Sequence, residues 1–200
     1  MKLTINGLSF SYEDIEIFED LTINLSSKKI SVLIGRNGVG KSTLLRIIAG
    51  LEEQDKGKIT LINNSNDQIP IRGNISYLGH KLALKEELSV QENINFWKKF
   101  YNCLPPDDEY KGLGIEELRY QKIRELSQGQ KKKVALLRIV MADKKIWLLD
   151  EPLSHLDEQT TDYFKNTLIS KVQDQKLILI TSHIRLNMKN ETSIYIEEEA

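Results

Sequence analysis

The stretch Gly35-Arg36-Asn37-Gly38-Val39-Gly40-Lys41-Ser42-Thr43 decides how the rest of the chain is read. It follows the apolar run Ile30-Ser31-Val32-Leu33-Ile34 and opens into Leu44-Leu45-Arg46-Ile47-Ile48-Ala49-Gly50. A buried strand, a glycine-rich turn and an amphipathic helix follow one another, the context that a phosphate-binding loop of pattern G-x-x-x-x-G-K-[ST] requires. Gly35, Gly38 and Gly40 permit positive φ and close backbone approach, so successive N–H groups can converge on an anion. The helix beginning near Lys41 aims the positive end of its dipole at the same point. Lys41 is expected to reach the β- and γ-phosphates of a nucleotide, and the Ser42 hydroxyl to ligate Mg²⁺. The bland reading is a plain glycine-rich turn, and the strand before it and the helix after it weigh against that.

Further along, Lys144-Lys145-Ile146-Trp147-Leu148-Leu149-Asp150-Glu151 reads as a buried strand ending in two carboxylates. An interior this apolar is expected where both faces of a sheet are covered. Packing explains the acids poorly, because unpaired buried carboxylates are costly. As chemistry they divide: Asp150 supports Mg²⁺, and Glu151 orients or deprotonates the attacking water. Leu126-Ser127-Gln128-Gly129-Gln130 precedes a helix expected from Lys131 to Met141, with Ser127 and Gln130 forming a capping box. Alone, this could be no more than a helix start, but exposed N–H groups, a hydroxyl and a glycine suit a phosphate equally well. Pro152 to Asp157 reads as a turn, with Asp157 capping a helix that runs to about Val172. Leu177-Ile178-Leu179-Ile180-Thr181 is one more buried strand, followed by Ser182-His183. A histidine just past a strand end lies on the edge where open α/β sheets bind ligands, and it can donate to a γ-phosphate. Taken alone, a satisfied surface histidine is the simpler reading.

Upstream of the loop, residues 2–10 and 15–25 alternate apolar and polar and read as a hairpin-like antiparallel pair. Tyr12 lies in their connection, where it can stack on a nucleotide base or be an ordinary exposed turn tyrosine. Lys58–Ile62 and Asn74–Leu78 read as strands, and Gly79-His80-Lys81 ends the second. Ser89-Val90-Gln91-Glu92 is a capping box opening a helix that carries Ile94, Trp97 and Tyr101, with Phe96 and Phe100 beside them. That stripe is most simply a core face, and partner docking is the sharper reading. Pro105-Pro106-Asp107-Asp108 is expected to break the helix, and residues 113–126 read as charged and helical. The expectation is one domain over residues 1–200, with a helical subdomain at about 89–142.

Composition agrees with this and excludes other classes. Two hundred residues suit one domain with a real core. Lys plus Arg (28) nearly balance Asp plus Glu (29), so no polyanion-binding surface is implied. The single Cys103 excludes an internal disulfide and any C-x-x-C site, which fits a reducing compartment. Met1-Lys2-Leu3-Thr4-Ile5-Asn6-Gly7 alternates like a strand and does not read as a signal peptide. No apolar run approaches the roughly twenty residues of a membrane span, so any membrane part is expected from a partner.

Together these pieces, from Tyr12 to His183, resemble the nucleotide-binding domain of an ABC-type ATPase. The resemblance implies an α/β P-loop NTPase fold, with a mixed sheet core, an antiparallel β subdomain and a helical subdomain. It makes Gly35–Thr43 the Walker A loop, Ile146–Asp150 the Walker B strand, Glu151 the catalytic glutamate and His183 the switch histidine. Tyr12 becomes the adenine-stacking aromatic. Leu126–Gln130 resembles the family signature, usually L-S-G-G-Q, with Gln128 in place of its first glycine. Ser154-His155-Leu156-Asp157 resembles the D-loop, with His155 where a small residue is commoner. The implied mechanism packs two chains head to tail around two ATP molecules. Lys41, Glu151 and His183 then act on one nucleotide, with Gly35, Arg36, Asn37, Gly38, Val39, Gly40, Ser42 and Thr43 around it. Ser127, Gly129 and Gln130 reach the nucleotide of the partner chain. Ser42 and Asp150 hold Mg²⁺.

One departure is informative. The family usually places glutamine at the strand end occupied here by His80, where it contacts Mg²⁺ and senses the membrane partner. Imidazole is a poor substitute as a Mg²⁺ ligand, so His80 is expected to serve coupling. Tyr77-Leu78-Gly79-His80, with Lys85-Glu86-Glu87-Leu88-Ser89 and Glu92-Asn93, looks like one subgroup, the ATP-binding subunits of bacterial heme exporters in cytochrome c maturation. Trp147–Leu153 and the end of the chain after residue 197 fit that small subunit. The implied partners are integral membrane transporter subunits and a second nucleotide-binding domain, at the cytoplasmic face of the cell membrane. No nucleic acid is expected. A soluble ABC-type ATPase that remodels ribosomes or nucleic-acid complexes is the alternative, as is an ABC transport ATPase for another cargo. Neither a second Walker A nor a heptad tract is present to favour the soluble class.

Overall fold

The alternating residues of the amino-terminal third build a small antiparallel sheet. β1 (Lys2–Tyr12) pairs with β2 (Ile15–Ser26) on one side. After β3 (Ile30–Ile34) and α1 (Lys41–Ala49), β4 (Lys56–Ile62) returns to the other side of β1. The β1 register shifts between Ile5 and Leu8, around Gly7 at φ 62°, which is why its buried positions step from Leu3 and Ile5 to Leu8 and Phe10. Tyr12 is the last residue of β1, and only a two-residue turn separates it from β2. The computed structural model describes residues 1–104 and 107–196.

The apolar runs form a second sheet. β5 (Ile75–Leu78), β6 (Ile146–Leu149), β7 (Leu177–Ser182) and β8 (Glu191–Tyr195) join β3 in the order β5-β6-β7-β3-β8. The antiparallel and helical parts are as expected, but the core sheet is not mixed: all four of its pairings are parallel. The reason lies in the connections. Long crossovers, most of them helical, feed these strands, and the tight turn that forces antiparallel pairing joins β1 to β2 in the other sheet. β8 went unread because it is a half-buried edge strand with polar Glu191, Thr192 and Ser193.

α1 lies between the sheets. Leu44, Leu45 and Ile48 pack with Leu3 and Ile5 from one sheet and Leu33, Leu148 and Leu179 from the other. The opposite face of the parallel sheet, including Val32, Trp147, Leu149 and Ile178, is covered by α4 (Gln128–Ala142) and α5 (Glu158–Gln173). β3 and β6 are therefore buried on both faces. α2 (Val90–Tyr101) begins at the expected Ser89–Glu92 capping box and ends at Asn102, whose φ is 52°. α3 (Asp107–Gly112) follows, and the expected break at residues 105–108 falls partly outside the described residues, as does the end after 197.

Residues 113–126, read as helical, hold only two 3₁₀ turns, Glu116–Leu118 and Ile123–Glu125. Besides short-range bonds, part of their backbone pairing goes elsewhere. The Val90 N–H donates to the Gln121 carbonyl, the Gln91 N–H to the Arg119 carbonyl, and the Ile123 N–H to the Leu88 carbonyl. Tertiary pairing with the start of α2 thus replaces the i→i+4 ladder. α4 begins at Gln128 rather than Lys131, because Ser127 is itself the N-cap. No described helix is long and apolar enough to cross a membrane.

Candidate functional site

Because the central strands run parallel, the carboxyl ends of β3, β5, β6 and β7 share one sheet edge, the edge where ligands bind in open α/β sheets. The phosphate-loop residues, His80, Asp150–Glu151 and His183 all follow these strand ends. At the start of α1 the N-cap is Gly40, at φ 94°, and no side chain caps the helix. The starts of α2, α4 and α5 are capped by Ser89, Ser127 and Asp157. The first N–H groups of α1 are thus left without a side-chain cap at the place where an anion can take them. A side chain at Gly40 would collide with Ile17 and Phe18 at 2.6 and 2.7 Å, so β2 packs tightly under the loop. Lys41 is buried, and its Nζ donates to the Gly35 and Arg36 carbonyls at 2.7 Å each. Burial lowers its pKa, against the opposing pull of Glu151 and Asp150. An arriving phosphate must therefore compete with the loop's own carbonyls for this ammonium.

The two acids are held differently. Asp150 is buried, and its Oδ1 accepts from Thr181 Oγ1 at 2.6 Å. The same Thr181 oxygen accepts from the Glu151 N–H at 2.9 Å, so one hydroxyl on β7 braces both residues. Glu151 has φ 45°, a left-handed conformation that is costly for a residue with a side chain. That turn sends its carboxylate out of the strand line to His183, whose Nε2 lies 2.7 Å from Oε1. Both side chains are part-exposed and border a recess of 290 Å³ with Pro152, Leu153 and Ser182.

The remaining expected residues are more scattered. His80 is exposed at the end of β5, beside the strand that carries Asp150. A recess of 400 Å³ next to Gly38 and Val39 is lined by Ile15, Ile17, Phe18 and Tyr195. Tyr12 is not in that lining. Its ring meets Phe10 edge-on, and its hydroxyl bonds Arg46 and Glu52. Ser127, Gly129 and Gln130 border neither this recess nor the Glu151–His183 one. Ser127 and Gln130 complete their capping box, with Ser127 Oγ accepting from the Gln130 N–H at 3.2 Å and Gln130 Oε1 from the Ser127 N–H at 2.9 Å. A side chain at Gly129 would overlap the His155 carbonyl, so close packing alone already requires glycine there.

Three residues at this edge escaped the sequence reading. Thr181 could have been noticed as a polar residue closing an apolar strand. Lys132 is buried and donates to the Glu151 carbonyl at 3.0 Å, but in sequence it is one of three consecutive lysines. Arg138, buried on α4, donates to the Tyr77 carbonyl at 3.0 Å and lies over the Trp97 ring at 5.4 Å. Helical spacing alone does not signal such reaches.

Residues 18–154 match the family model described as ABC transporter. The cytochrome c biogenesis ATP-binding export protein CcmA of Rhizobium etli is 32% identical over 197 residues, covering 95% of this chain and 92% of its own. A putative ABC transporter ATP-binding protein from Pyrococcus furiosus has a TM-score of 0.79 at 25% identity, with 98% of each chain covered. An ATP-binding cassette solved as a dimer with ADP and Pi matches with a TM-score of 0.78 at 22% identity, over 98% of this chain and 94% of that one.

Proposed function

As the chain belongs to the ABC transporter ATP-binding family, we propose that it binds and hydrolyses ATP as the ATPase subunit of a membrane exporter acting in cytochrome c maturation. The observation that carries the chemistry is the Glu151–His183 pair at 2.7 Å, on the same sheet edge as Lys41 and the uncapped start of α1. Glu151 orients the attacking water and takes its proton, and His183 Nε2 donates to the transferred phosphate. Lys41 and the loop N–H groups from Gly35 to Thr43 hold the β- and γ-phosphates, so catalysis is mainly positioning and electrostatics. Tyr12 is the proposed base-stacking residue.

Ser42 and Asp150 are the residues that would hold Mg²⁺. No group of three His, Cys, Asp or Glu among the described residues forms an all-protein metal cage. A hydroxyl and one carboxylate, oxygen donors both, fit an ion that keeps waters and shares substrate phosphates. When bound, Mg²⁺ neutralises charge developing on the phosphate oxygens.

Ser127, Gly129 and Gln130 serve the nucleotide of a second copy. Their absence from the lining of both recesses in their own chain supports this, and so does the dimeric form of the similar cassette. The exporter reading, with heme as cargo, rests on the likeness to the cytochrome c biogenesis protein over nearly all of both chains and on the Gly79-His80 strand end. It places the chain at the cytoplasmic face of the cell membrane, with integral subunits supplied by a partner. Their docking surface lies around residues 80–104, where Phe96 and Phe100 are exposed while Trp97 and Tyr101 pack inward. His80 serves coupling to that surface, and residues 1–200 act as one nucleotide-binding domain with its helical part near 89–142.

Two experiments test this. Glu151→Gln should abolish turnover while an ATP-stabilised dimer accumulates in size-exclusion runs; hydrolysis at the parent rate in the full complex would remove Glu151 from its role. Deleting the gene should abolish holo-cytochrome c while the apo-polypeptides are still exported. Normal holo-cytochrome c would reduce the assignment to an ABC transport ATPase of another cargo.

A further inference from the structure

The start of α4 is fastened to the segment after β6 at three points. Gly129 lies directly against the His155 carbonyl, and Lys133 Nζ pairs with Asp157 Oδ2 at 2.5 Å. Between these, Lys132 Nζ donates to the Glu151 carbonyl at 3.0 Å. Of the three consecutive lysines, Lys131 and Lys133 meet carboxylates that are themselves more than half exposed. Lys132 is 8% exposed and turns inward to a main-chain oxygen. A buried ammonium is expensive unless it is compensated. Here the compensation is that carbonyl together with the nearby Asp150 and Glu151 carboxylates, which oppose the lowering of its pKa by burial.

The carbonyl it holds belongs to the residue with the least comfortable backbone at the site. Glu151 at φ 45° needs support from its surroundings to persist. Thr181 Oγ1 takes its N–H, and Lys132 Nζ and Ser154 Oγ donate to its carbonyl at 3.0 and 2.9 Å. Thr181 and Ser154 belong to the sheet and to the turn itself. Lys132 comes from α4, the helix whose first residues include Gly129 and whose cap is Ser127.

We infer that Lys132 is a positioning residue: its hydrogen bond to the Glu151 carbonyl fixes the left-handed turn that aims the Glu151 carboxylate at His183. It also ties the orientation of Glu151 to the position of α4 in the same chain. A shift of the Ser127–Gln130 end of α4 therefore reaches the chain's own Glu151 through one buried contact, five residues beyond the cap. This rests on the reading of Glu151 as the residue acting on water.

The test uses the purified full chain with Mg-ATP and compares the parent with Lys132→Met, Lys132→Gln and Glu151→Gln. Lys132→Met keeps the length but removes the donor, and kcat should fall by about tenfold or more with KM for ATP within about twofold. Lys132→Gln keeps an uncharged donor and should recover most of the lost kcat. Parent-like kcat in Lys132→Met would overturn the inference. So would equal losses of kcat and ATP affinity in the Met and Gln variants, which mark a merely structural lysine. If Lys132→Met is not recovered folded, Lys132→Ala takes its place with the same expectations. Glu151→Gln separates the two claims. Inactivity there, with Lys132→Met at the parent rate, removes the Lys132 assignment alone; parent-rate hydrolysis in Glu151→Gln removes the reading beneath it.

Discussion

Replacing Thr181 by Val isolates the hydroxyl that braces both acids. Thr181 is fully buried, and its Oγ1 donates to Asp150 at 2.6 Å while accepting the Glu151 N–H at 2.9 Å. Valine keeps the branching and nearly the volume, so the packing between β6 and β7 is conserved and the hydroxyl is what is lost. A hydrogen bond to a charged group contributes about 1.5–3 kcal/mol, and a buried N–H left without a partner costs about 1–3 kcal/mol. Both effects run through one atom and are not additive, so the expected destabilisation is roughly 2–4 kcal/mol. In a chain of this length each kcal/mol moves Tm by about 2–4 °C. The Val variant should therefore melt roughly 5–15 °C below the parent. Thr181→Ser, which keeps the hydroxyl and drops one methyl, should lose only about 1 kcal/mol. Thermal unfolding followed by circular dichroism, with all three proteins in the same buffer, measures this. Steady-state turnover of the Val variant should also fall, since the Glu151 turn loses its N–H partner. If Val melts within about 2 °C of the parent, or if Ser melts as low as Val, the bracing role assigned to the hydroxyl is wrong.

Lys41→Ala should weaken ATP binding about tenfold to a hundredfold, the size of a charge-assisted contact, in an equilibrium titration; unchanged affinity would remove the phosphate-loop assignment. His80→Ala should leave ATP binding by the isolated subunit nearly intact while partner-stimulated hydrolysis falls more than basal hydrolysis. Equal losses, together with weaker Mg²⁺ dependence, would argue against coupling. Asp157 caps α5, and its carboxyl is held well below the usual carboxylate range, first by Lys133 and then by the Thr160 N–H. A depressed folded pKa contributes stability that is present above the unfolded value of about 3.9 and is lost as pH falls toward the folded one. Parent and Asp157→Asn should thus differ in urea midpoint at neutral pH and converge at acid pH. A gap that stays constant across that range would show that charge plays no part in the cap.

What was legible in the sequence was what local chemistry dictates. The loop from Gly35 to Thr43 carries its strand, turn and helix with it, and capping residues announced the starts of α2 and α5, whereas α4 starts three residues before its expected first residue, directly after its cap Ser127. The apolar-rich runs that became β3, β6 and β7 read as buried strands, and all three are buried along their length. Legibility failed where the partner of a residue lies far along the chain. Residues 113–126 have helical composition, yet several of their N–H and carbonyl groups pair with residues 86–91 instead. β8 offers only Ile194 and the following Ile196 to the core, too short a pattern to announce a strand, and is held at the edge of β3. The aromatic stripe of α2 illustrates the same limit: spacing could group Phe96, Trp97, Phe100 and Tyr101, but only packing divides them into an inward pair and an outward pair. At the site itself, the residues that chemistry requires could be named from their types, whereas those that hold them in place could not. Glu151 is recognisable as an acid after a buried strand. That it sits at φ 45°, held by a threonine 30 residues later and a lysine 19 residues earlier, is a fact of the fold. Placement is thus distributed over β7 and α4, while the reactive groups are confined to strand ends. Substitutions at Thr181 and Lys132 should accordingly alter turnover without replacing any residue proposed to contact ATP or Mg²⁺.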